Sequence, residues 1–222
     1  MTKRLNDFMT ELIPSILVES QEEFERRLRL VDGAVKTVHV DILDGTMFPA
    51  TSWFDARAVG AIETPVVYEL HLMVENPLPI IKQWSEHVKN LKRAIVHIEL
   101  DRPLSTLLED IKQWYKIETG IAINPETPIE EVKHHTEMLD SLLIMGVHPG
   151  ASGQSFLGDS IVEKIRSLHH HYPQFPIGCD GGITKDRIPA LLEAGCSRLI
   201  IASSIFSSEN PQSAIADLQS VL

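Results

Sequence analysis

Four polar side chains interrupt apolar segments of the sequence and could hold a metal or act on a substrate. His39 and Asp41 lie in TVHVDI, His71 lies in VVYELHL, and Asp180 ends PIGCD. Residues two apart on a β-strand point to the same face, so His39 and Asp41 are expected to share one. A buried carboxylate is costly unless it is paired or binds a metal. Each residue also has an ordinary interpretation: a salt bridge for Asp41, core packing for His71 and a turn before two glycines for Asp180.

Together the four residues supply two imidazole nitrogens and two carboxylate oxygens. Such a donor set suits Zn²⁺, Fe²⁺, Mn²⁺ or Co²⁺, whereas a closed structural zinc site usually contains cysteine. We therefore expect a divalent cation, with zinc as the first choice, to be bound by His39, Asp41, His71 and Asp180.

Small residues that follow three later apolar segments predict a phosphate site. Backbone N–H groups in such loops, and at helix N-termini, approach a phosphate closely and bind it. Ordinary turn glycines are the alternative interpretation. The residues expected to bind phosphate are Gly150, Ala151, Ser152, Gly153, Gly181, Gly182, Ala202 and Ser203. The loop over 148–156 is a candidate lid that excludes water.

The elements that must position these residues alternate in type. Eight short apolar segments, several of them apolar on both faces, are separated by stretches with helical signals; the segments are 12–17, 37–42, 66–72, 93–100, 120–123, 141–145, 176–180 and 198–203. This alternation predicts an α/β fold, a single (β/α)₈ TIM barrel over 1–222, in which parallel strands are covered by helices. A doubly wound open sheet is the alternative, but no GxGxxG follows the first strand. In a (β/α)₈ barrel the active site lies at the C-terminal ends of the strands.

Two signals concern the helices. Ser20 and Glu23 form the pattern of a capping box at the start of a helix. Trp53, Trp84 and Trp114 are expected to pack between helices and barrel.

Composition excludes several classes of partner. The 222 residues contain 20 Lys and Arg but 31 Asp and Glu, which gives a net charge of −11. This balance argues against nucleic acid and against anionic membranes as partners. Cys179 and Cys196, the only cysteines, are too few for a disulfide framework. The first residues lack the apolar core of a signal peptide, so we expect a soluble, cytoplasmic protein.

Several segments resemble one known family over essentially the whole chain. They are PSIL (14–17), VHVDILDG (38–45), LHLMVENP (70–77), VHIE (96–99), INPETP (123–128), LIMGVHPGASGQSF (143–156), CDGGI (179–183) and ASSIF (202–206). The chain thereby resembles the ribulose-phosphate 3-epimerase family. The resemblance implies a phosphate-binding barrel that inverts C3 of a ketose phosphate with a divalent metal. The first choice is D-ribulose 5-phosphate, giving D-xylulose 5-phosphate, in the pentose phosphate pathway. It also implies a homo-oligomer, a dimer or a hexamer.

The resemblance assigns roles to individual residues. It implies that Asp41 and Asp180 are the base and the acid as well as metal ligands, and that Ser15 and His71 meet the substrate. Met73 and Met145 resemble the apolar methionines beside the metal. The chemistry fits these residues: epimerisation removes a proton next to a carbonyl and returns one on the other face, which takes two acid/base groups. The enediolate between the two steps needs charge stabilisation, which a metal on its two oxygens supplies.

Departures from the family pattern leave alternatives open. Residues 46–50 read TMFPA where HFVPN is usual, and Ala151 and Ser152 replace Phe and Gly in the PGFGGQ loop. The chain could therefore prefer a ketohexose phosphate such as allulose 6-phosphate, or be a phosphosugar-binding relic without activity. The related decarboxylase and hexulose-phosphate synthase group is disfavoured because segment 41–44 has no lysine. His97 and Glu99 either support the ligand histidines or form a buried structural pair.

Overall fold

The apolar segments form eight parallel strands that close into a barrel, each strand pairing with the next and the last with the first. The computed structural model describes residues 8–150 and 153–222. The strands are β1 Glu11–Ile16, β2 Thr37–Leu43, β3 Val67–Met73, β4 Leu91–His97, β5 Glu118–Ile123, β6 Ser141–Met145, β7 Ile177–Asp180 and β8 Cys196–Ile201. This confirms the (β/α)₈ barrel and excludes the open sheet.

Helices cover the outside of the barrel between the strands. They are α1 Gln21–Val31, α2 Ala56–Gly60, α3 Leu78–His87, α4 Leu104–Asp110, α5 Asp159–His171, α6 Ile188–Glu193, α7 Ser203–Phe206 and α8 Pro211–Gln219. Ser20 caps α1 by accepting a hydrogen bond from the backbone N–H of Glu23, as the capping pattern predicts. The short helices α2 and α7 were not predicted, because five and four residues are too few to show a helical period. Every helix within the described ranges is too short or too polar to span a membrane.

Two layers of side chains make up the core. The outward residues of the strands pack under the helices in one large apolar cluster, which includes Trp84 and Cys179. Inside the barrel, the apolar and the polar side chains form separate groups. One side is a compact apolar group made of Ile13, Ile95, Ala122, Leu143, Met145 and Ile200. The strands β2 and β3, and β4 on either side of Ile95, turn polar residues inward, and all of these are buried: His39, Asp41, Glu69, His71, Arg93 and His97.

One tryptophan does not pack as the sequence predicted. Trp53 and Trp84 join the core, but the side chain of Trp114 is 74% exposed. The reason is local: α4 continues into a single π-helical turn, Ile111–Tyr115. A π-turn holds more residues than an α-turn, so it rotates Trp114 off the inward face that the 3.6-residue period assigns to it.

Candidate active site

Strand register brings the predicted ligands to the same end of the barrel. Asp41 on β2 lies beside His71 on β3, and Ser15 on β1 lies beside His39. Asp180 is the last residue of β7, two strands beyond β1 in the other direction round the barrel. Because all the strands are parallel, these side chains meet at the C-terminal ends, where such barrels carry their sites.

The four side chains His39, Asp41, His71 and Asp180, called here the His/Asp cluster, converge on one point. One ligand atom from each lies within 4.8 Å of the other three. Nδ1 of His71 is 2.9 Å from Oδ1 of Asp41 and 3.5 Å from Oδ2 of Asp180. Nε2 of His39 is 3.5 Å from Oδ1 of Asp41 and 4.0 Å from Oδ2 of Asp180. The geometry and the donor types fit a divalent transition metal.

His39 is oriented from behind by a buried ion-pair network. Its Nδ1 lies 2.7 Å from Oε1 of Glu69, whose other oxygen accepts hydrogen bonds from Arg93 and Arg198. Burial acts to raise the pKa of Glu69, but the positive charges, Arg198 foremost, hold it well below its usual value. Glu69 is therefore an ionised acceptor, and His39 directs its Nε2 into the cluster. That Nε2 atom is buried and has no hydrogen-bond partner among the described residues.

The carboxylates around Nε2 of His39 favour a positive charge there. Burial alone would lower the pKa of His39, but the carboxylates of Asp41 and Glu69 raise it to about 10. A ligand histidine must give up this proton to bind a metal, so a cation would occupy the place of a stabilised proton. The residues present therefore fit a divalent metal.

His71 is held by a second chain of contacts. Its Nε2 lies 2.9 Å from Nε2 of His97, and the two rings stack with their centres 5.0 Å apart. Nδ1 of His97 lies 3.1 Å from Oε2 of Glu99. The other oxygen of Glu99 accepts hydrogen bonds from the backbone N–H of Asn124, at 2.9 Å, and from the hydroxyl of Thr127. The sequence placed His97 and Glu99 near the site, and the structure supports the first of its two interpretations, contact with a ligand histidine.

The two carboxylates of the cluster have opposite proton affinities. Burial acts to raise the pKa of Asp41, but His39 and His71 hold it well below the usual value for an aspartate. Burial, reinforced by the negative charge of Asp41, raises the pKa of Asp180 instead. Two neighbouring carboxyl groups whose pKa values are pushed apart suit one base and one acid.

A cavity of about 550 Å³, its open mouth included, lies above the cluster. Asp41 and Asp180 form part of its wall, whereas His39 and His71 are fully buried beneath it. The other predicted residues in its lining are Ser15, Met73, Met145, Gly150, Gly153, Gly181, Gly182, Ala202 and Ser203. Ala151 and Ser152 lie outside the described residues. Leu17, Val147 and Ile183 also line the cavity and were not predicted, whereas Pro149 and Gln154 were predicted only as part of the 148–156 loop. Leu17 and Ile183 lie just after the ends of β1 and β7, and this position alone could have indicated that they belong to the site.

Tight packing between two loops explains the glycine after β7. Gly182 has a φ of 68°, and a Cβ there would lie 2.4 Å from the backbone N of Phe156. Ala202 raises no such difficulty, because its φ of −111° accommodates a side chain. The alanine at this position therefore leaves the local backbone free to act as a donor. Among the described lining residues there is no lysine or arginine, so an anion there would depend on backbone N–H groups and hydroxyls.

The fold and the site define a (β/α)₈ barrel with a buried His/Asp cluster, suited to a divalent metal, beneath a cavity at the C-terminal ends of its strands. Comparison with known proteins narrows this class. The profile described as "Ribulose-phosphate 3 epimerase family" matches residues 11–206. The chain belongs to the ribulose-phosphate 3-epimerase family.

This chain is similar to individual relatives over most of their length. The ribulose-phosphate 3-epimerase of Bacillus subtilis (strain 168) is 27% identical over 219 residues, 95% of this chain and 99% of that protein. The cytoplasmic isoform of Oryza sativa subsp. japonica is 31% identical over 208 residues, 89% of this chain and 86% of that protein. The solved 3-hexulose-6-phosphate synthase of Salmonella typhimurium matches with a TM-score of 0.69 at 15% identity, covering 96% and 98% of the two chains. That last likeness concerns the fold alone.

Proposed function

We propose that this protein is a metal-dependent ribulose-phosphate 3-epimerase, an isomerase that interconverts D-ribulose 5-phosphate and D-xylulose 5-phosphate in the pentose phosphate pathway. The observation that carries the proposal is the convergence of the His/Asp cluster, with the orphaned Nε2 of His39, beneath the cavity. Membership of the family supports the choice of reaction. A phosphosugar-binding relic would have no need to keep all four ligands and both carboxylates together.

The metal is proposed to be zinc, held by His39, Asp41, His71 and Asp180. Fe²⁺, Mn²⁺ and Co²⁺ suit the same donors. When bound, the ion supplies positive charge beside the substrate oxygens on which negative charge develops. The buried carboxylate of Glu69 and the His97–Glu99 pair orient the two ligand histidines, as is usual around metal sites.

Proton transfer is assigned to the two carboxylates. Asp41, whose pKa is low, is ionised and can accept the C3 proton. Asp180, whose pKa is raised, can hold a proton and deliver it to the other face of the same carbon. The two residues exchange roles in the reverse direction. Ser15 donates a hydrogen bond to Oδ2 of Asp41 and faces the cavity, so it positions the base and can contact the substrate.

The phosphate of the substrate is proposed to bind where the small residues line the cavity. Gly181, Gly182, Ala202 and Ser203 place the loops after β7 and β8 there, at the start of helix α7. The first backbone N–H groups of a helix have no partner within it, and they favour an anion. Gly150 and Gly153 belong to the loop after β6, with Ala151 and Ser152 between them. Met73 and Met145 supply apolar walls beside the cluster.

Three wider features remain part of the proposal. The barrel elements run from Glu11 to Gln219, which supports one catalytic domain over 1–222. A cytoplasmic location is supported by the similarity to the cytoplasmic isoform of Oryza sativa subsp. japonica. A homo-oligomer, either a dimer or a hexamer, follows from the family resemblance.

The test is turnover of D-ribulose 5-phosphate in a coupled assay, on protein whose metal content has been measured. Wild type and Asp180→Asn are compared, with allulose 6-phosphate as the second substrate. We expect metal-dependent pentose activity that falls by about 10²- to 10⁴-fold in the variant, as for loss of an acid/base group. Faster turnover of allulose 6-phosphate would move the assignment to the hexose phosphate. A protein that neither takes up Zn²⁺, Mn²⁺, Co²⁺ or Fe²⁺ nor turns over either substrate would contradict the proposal and favour the relic.

A further inference from the structure

A line of four side chains runs from the cavity wall to the loop after β5. Asp41 contacts Nδ1 of His71, Nε2 of His71 contacts Nε2 of His97, and Nδ1 of His97 contacts Glu99, at 2.9, 2.9 and 3.1 Å. Both imidazoles are completely buried. Water therefore cannot replace either partner of the contact between the two rings.

Counting hydrogens along this line shows that one contact is short of a proton. There are three contacts, and each carboxylate can only accept, so each contact needs a hydrogen from an imidazole. Two neutral imidazoles carry two hydrogens. If Glu99 and the ring-to-ring contact take them, the contact between His71 and Asp41 has none, and the lone pair of His71 Nδ1 faces the cluster. A cation at that point supplies the missing attraction.

Glu99 is fixed as an acceptor by its surroundings. Its Oε1 receives the backbone N–H of Asn124 and the hydroxyl of Thr127, which leaves Oε2 for His97. Burial acts to raise the pKa of Glu99, but the hydrogen bonds from His97, Thr127 and Asn124 lower it. The carboxylate therefore draws the hydrogen of His97 to Nδ1, which makes Nε2 of His97 an acceptor for His71.

From this geometry we propose that Glu99 is a positioning residue that prepares His71 for metal binding through His97. Glu99 sets the tautomer of His97, and His97 sets the tautomer of His71, so that the free lone pair is on the nitrogen facing the metal. The inference rests on the metal site of the proposed function, and it assigns to the pair of residues 97 and 99 a role that neither could perform alone.

The substitution Glu99→Gln reverses the donor and acceptor roles in every hydrogen bond along the line. The amide oxygen stays with Asn124, because the backbone N–H there can only donate, and the amide NH₂ then faces Nδ1 of His97. His97 must accept on Nδ1 and donate from Nε2, so His71 accepts on Nε2 and carries its hydrogen on Nδ1. All three contacts, including the one with Asp41, are then satisfied without a metal. The variant should bind metal weakly although its metal-free form is at least as stable as wild type.

Glu99→Ala separates this mechanism from simple damage. Alanine removes the acceptor but forces no tautomer, so His71 can still present Nδ1 as a lone pair. If Glu99 only packed or braced the loop, Gln would be the gentle change and Ala the severe one. The tautomer mechanism predicts the opposite order for metal affinity. Thr127→Val is the matched control, because it removes one donor to Glu99 and leaves the line from Glu99 to His71 intact.

The experiment measures Co²⁺ affinity by its visible absorption for wild type, Glu99→Gln, Glu99→Ala and Thr127→Val. Thermal unfolding and the ring ¹⁵N chemical shifts of the histidines are recorded on each metal-free protein. We expect affinity to fall about 100-fold for Gln and about 10-fold for Ala, the range known for partners of ligand histidines, and to change little for Val. We also expect the ring nitrogens of His71 and His97 to exchange tautomers in the Gln variant.

Other outcomes would overturn the inference. Wild-type affinity in Glu99→Gln, or a greater loss in Glu99→Ala than in Glu99→Gln, excludes control through the tautomer. So does a Gln variant whose histidine shifts match wild type. Absence of Co²⁺ binding by wild type would count against the metal site of the proposed function, and the ¹⁵N shifts of the metal-free proteins would still decide the inference about Glu99.

Discussion

Oδ1 of Asp41 lies 2.9 Å from Nδ1 of His71, while Oδ2 of the same carboxylate accepts a hydrogen bond from Ser15. Both oxygens are thus engaged in the barrel interior, and Asp41 is only 8% exposed. The hydroxyl of Ser15 restrains the Oδ2 side of this buried carboxylate, and a base that must reach a single carbon atom requires such a fixed orientation.

Ser15→Ala tests this restraint. Removing the hydroxyl frees one oxygen of Asp41 but leaves the His/Asp cluster intact. A hydrogen bond to a charged group contributes about 1.5–3 kcal/mol, so we expect kcat to fall by about 10- to 100-fold with unchanged metal content. Steady-state kinetics together with metal analysis check this, and an unchanged kcat would mean that Ser15 does not hold the base.

Removal of the metal should lower both activity and stability. His39 directs at two carboxylates a buried Nε2 that has no hydrogen-bond partner in the described part of the chain, an arrangement that a cation stabilises. Binding at 100 times the Kd stabilises the folded state by about 2.7 kcal/mol. We expect a chelator to abolish turnover and to lower the thermal midpoint, and Zn²⁺ or Co²⁺ to restore both. A midpoint that the chelator leaves unchanged would count against the site.

Gly182→Ala should destabilise the protein at the cavity by more than the strain of a side chain at positive φ alone would. The new Cβ would lie 2.4 Å from the backbone N of Phe156, so the loops after β6 and β7 must separate. The matched control is Gly33→Ala, because Gly33 has a similar φ of 79° but nothing within 4 Å of the added atom. Overpacking costs about 1–3 kcal/mol, which we expect as the difference between the two variants.

Activity and thermal unfolding together check the pair of glycine variants. Both should lose stability because a side chain at positive φ is strained, but only Gly182→Ala should also raise the KM for the sugar phosphate. Equal stability losses with an unchanged KM would show that the loop contact is not required for the phosphate end of the site.

Much of the fold could be predicted from local patterns. The strands were visible because buried parallel strands are apolar on both faces, and α1 because Ser20 can cap it. Trp114 was predicted wrongly because a π-turn changes the period of the helix, and the side-chain pattern carries no sign of it. The residues after Pro128 form a 3₁₀ helix, Ile129–His134, and so short a segment shows no period that would predict its type.

The four residues that converge in the His/Asp cluster could be predicted, whereas the residues that contact them from behind could be predicted only in part. The two-residue spacing of His39 and Asp41 within one strand indicates that their side chains share a face. Glu69 has the same two-residue spacing from His71, but its role could not be predicted, because the charges that compensate it come from Arg93 on β4 and Arg198 on β8. Contacts between side chains 24 and 129 residues apart depend on the register of a closed barrel, which the local sequence does not encode.

Glu69→Gln should reveal how much this buried network contributes. The carboxylate is 1% exposed and is shared by Arg93 and Arg198, so neutralising it removes their one fully buried partner and leaves them only the more exposed carboxylates of Glu118 and Glu11. Breaking a buried pair costs about 3–5 kcal/mol. For a chain of this size 1 kcal/mol shifts the thermal midpoint by about 2–4 °C, so we expect a fall of about 6–20 °C.

Glu23→Gln is the matched control for Glu69→Gln. Glu23 also pairs with two arginines, Arg26 and Arg27, but at the surface of α1, where its side chain is 32% exposed. Surface pairs contribute about 0–1 kcal/mol, so its midpoint should fall by less than about 4 °C. Both variants are measured in metal-free form, so that weaker metal binding by His39 does not add to the shift. Equal shifts in the two proteins would show that Arg93 and Arg198 are compensated without Glu69, and that the network orients His39 without stabilising the barrel.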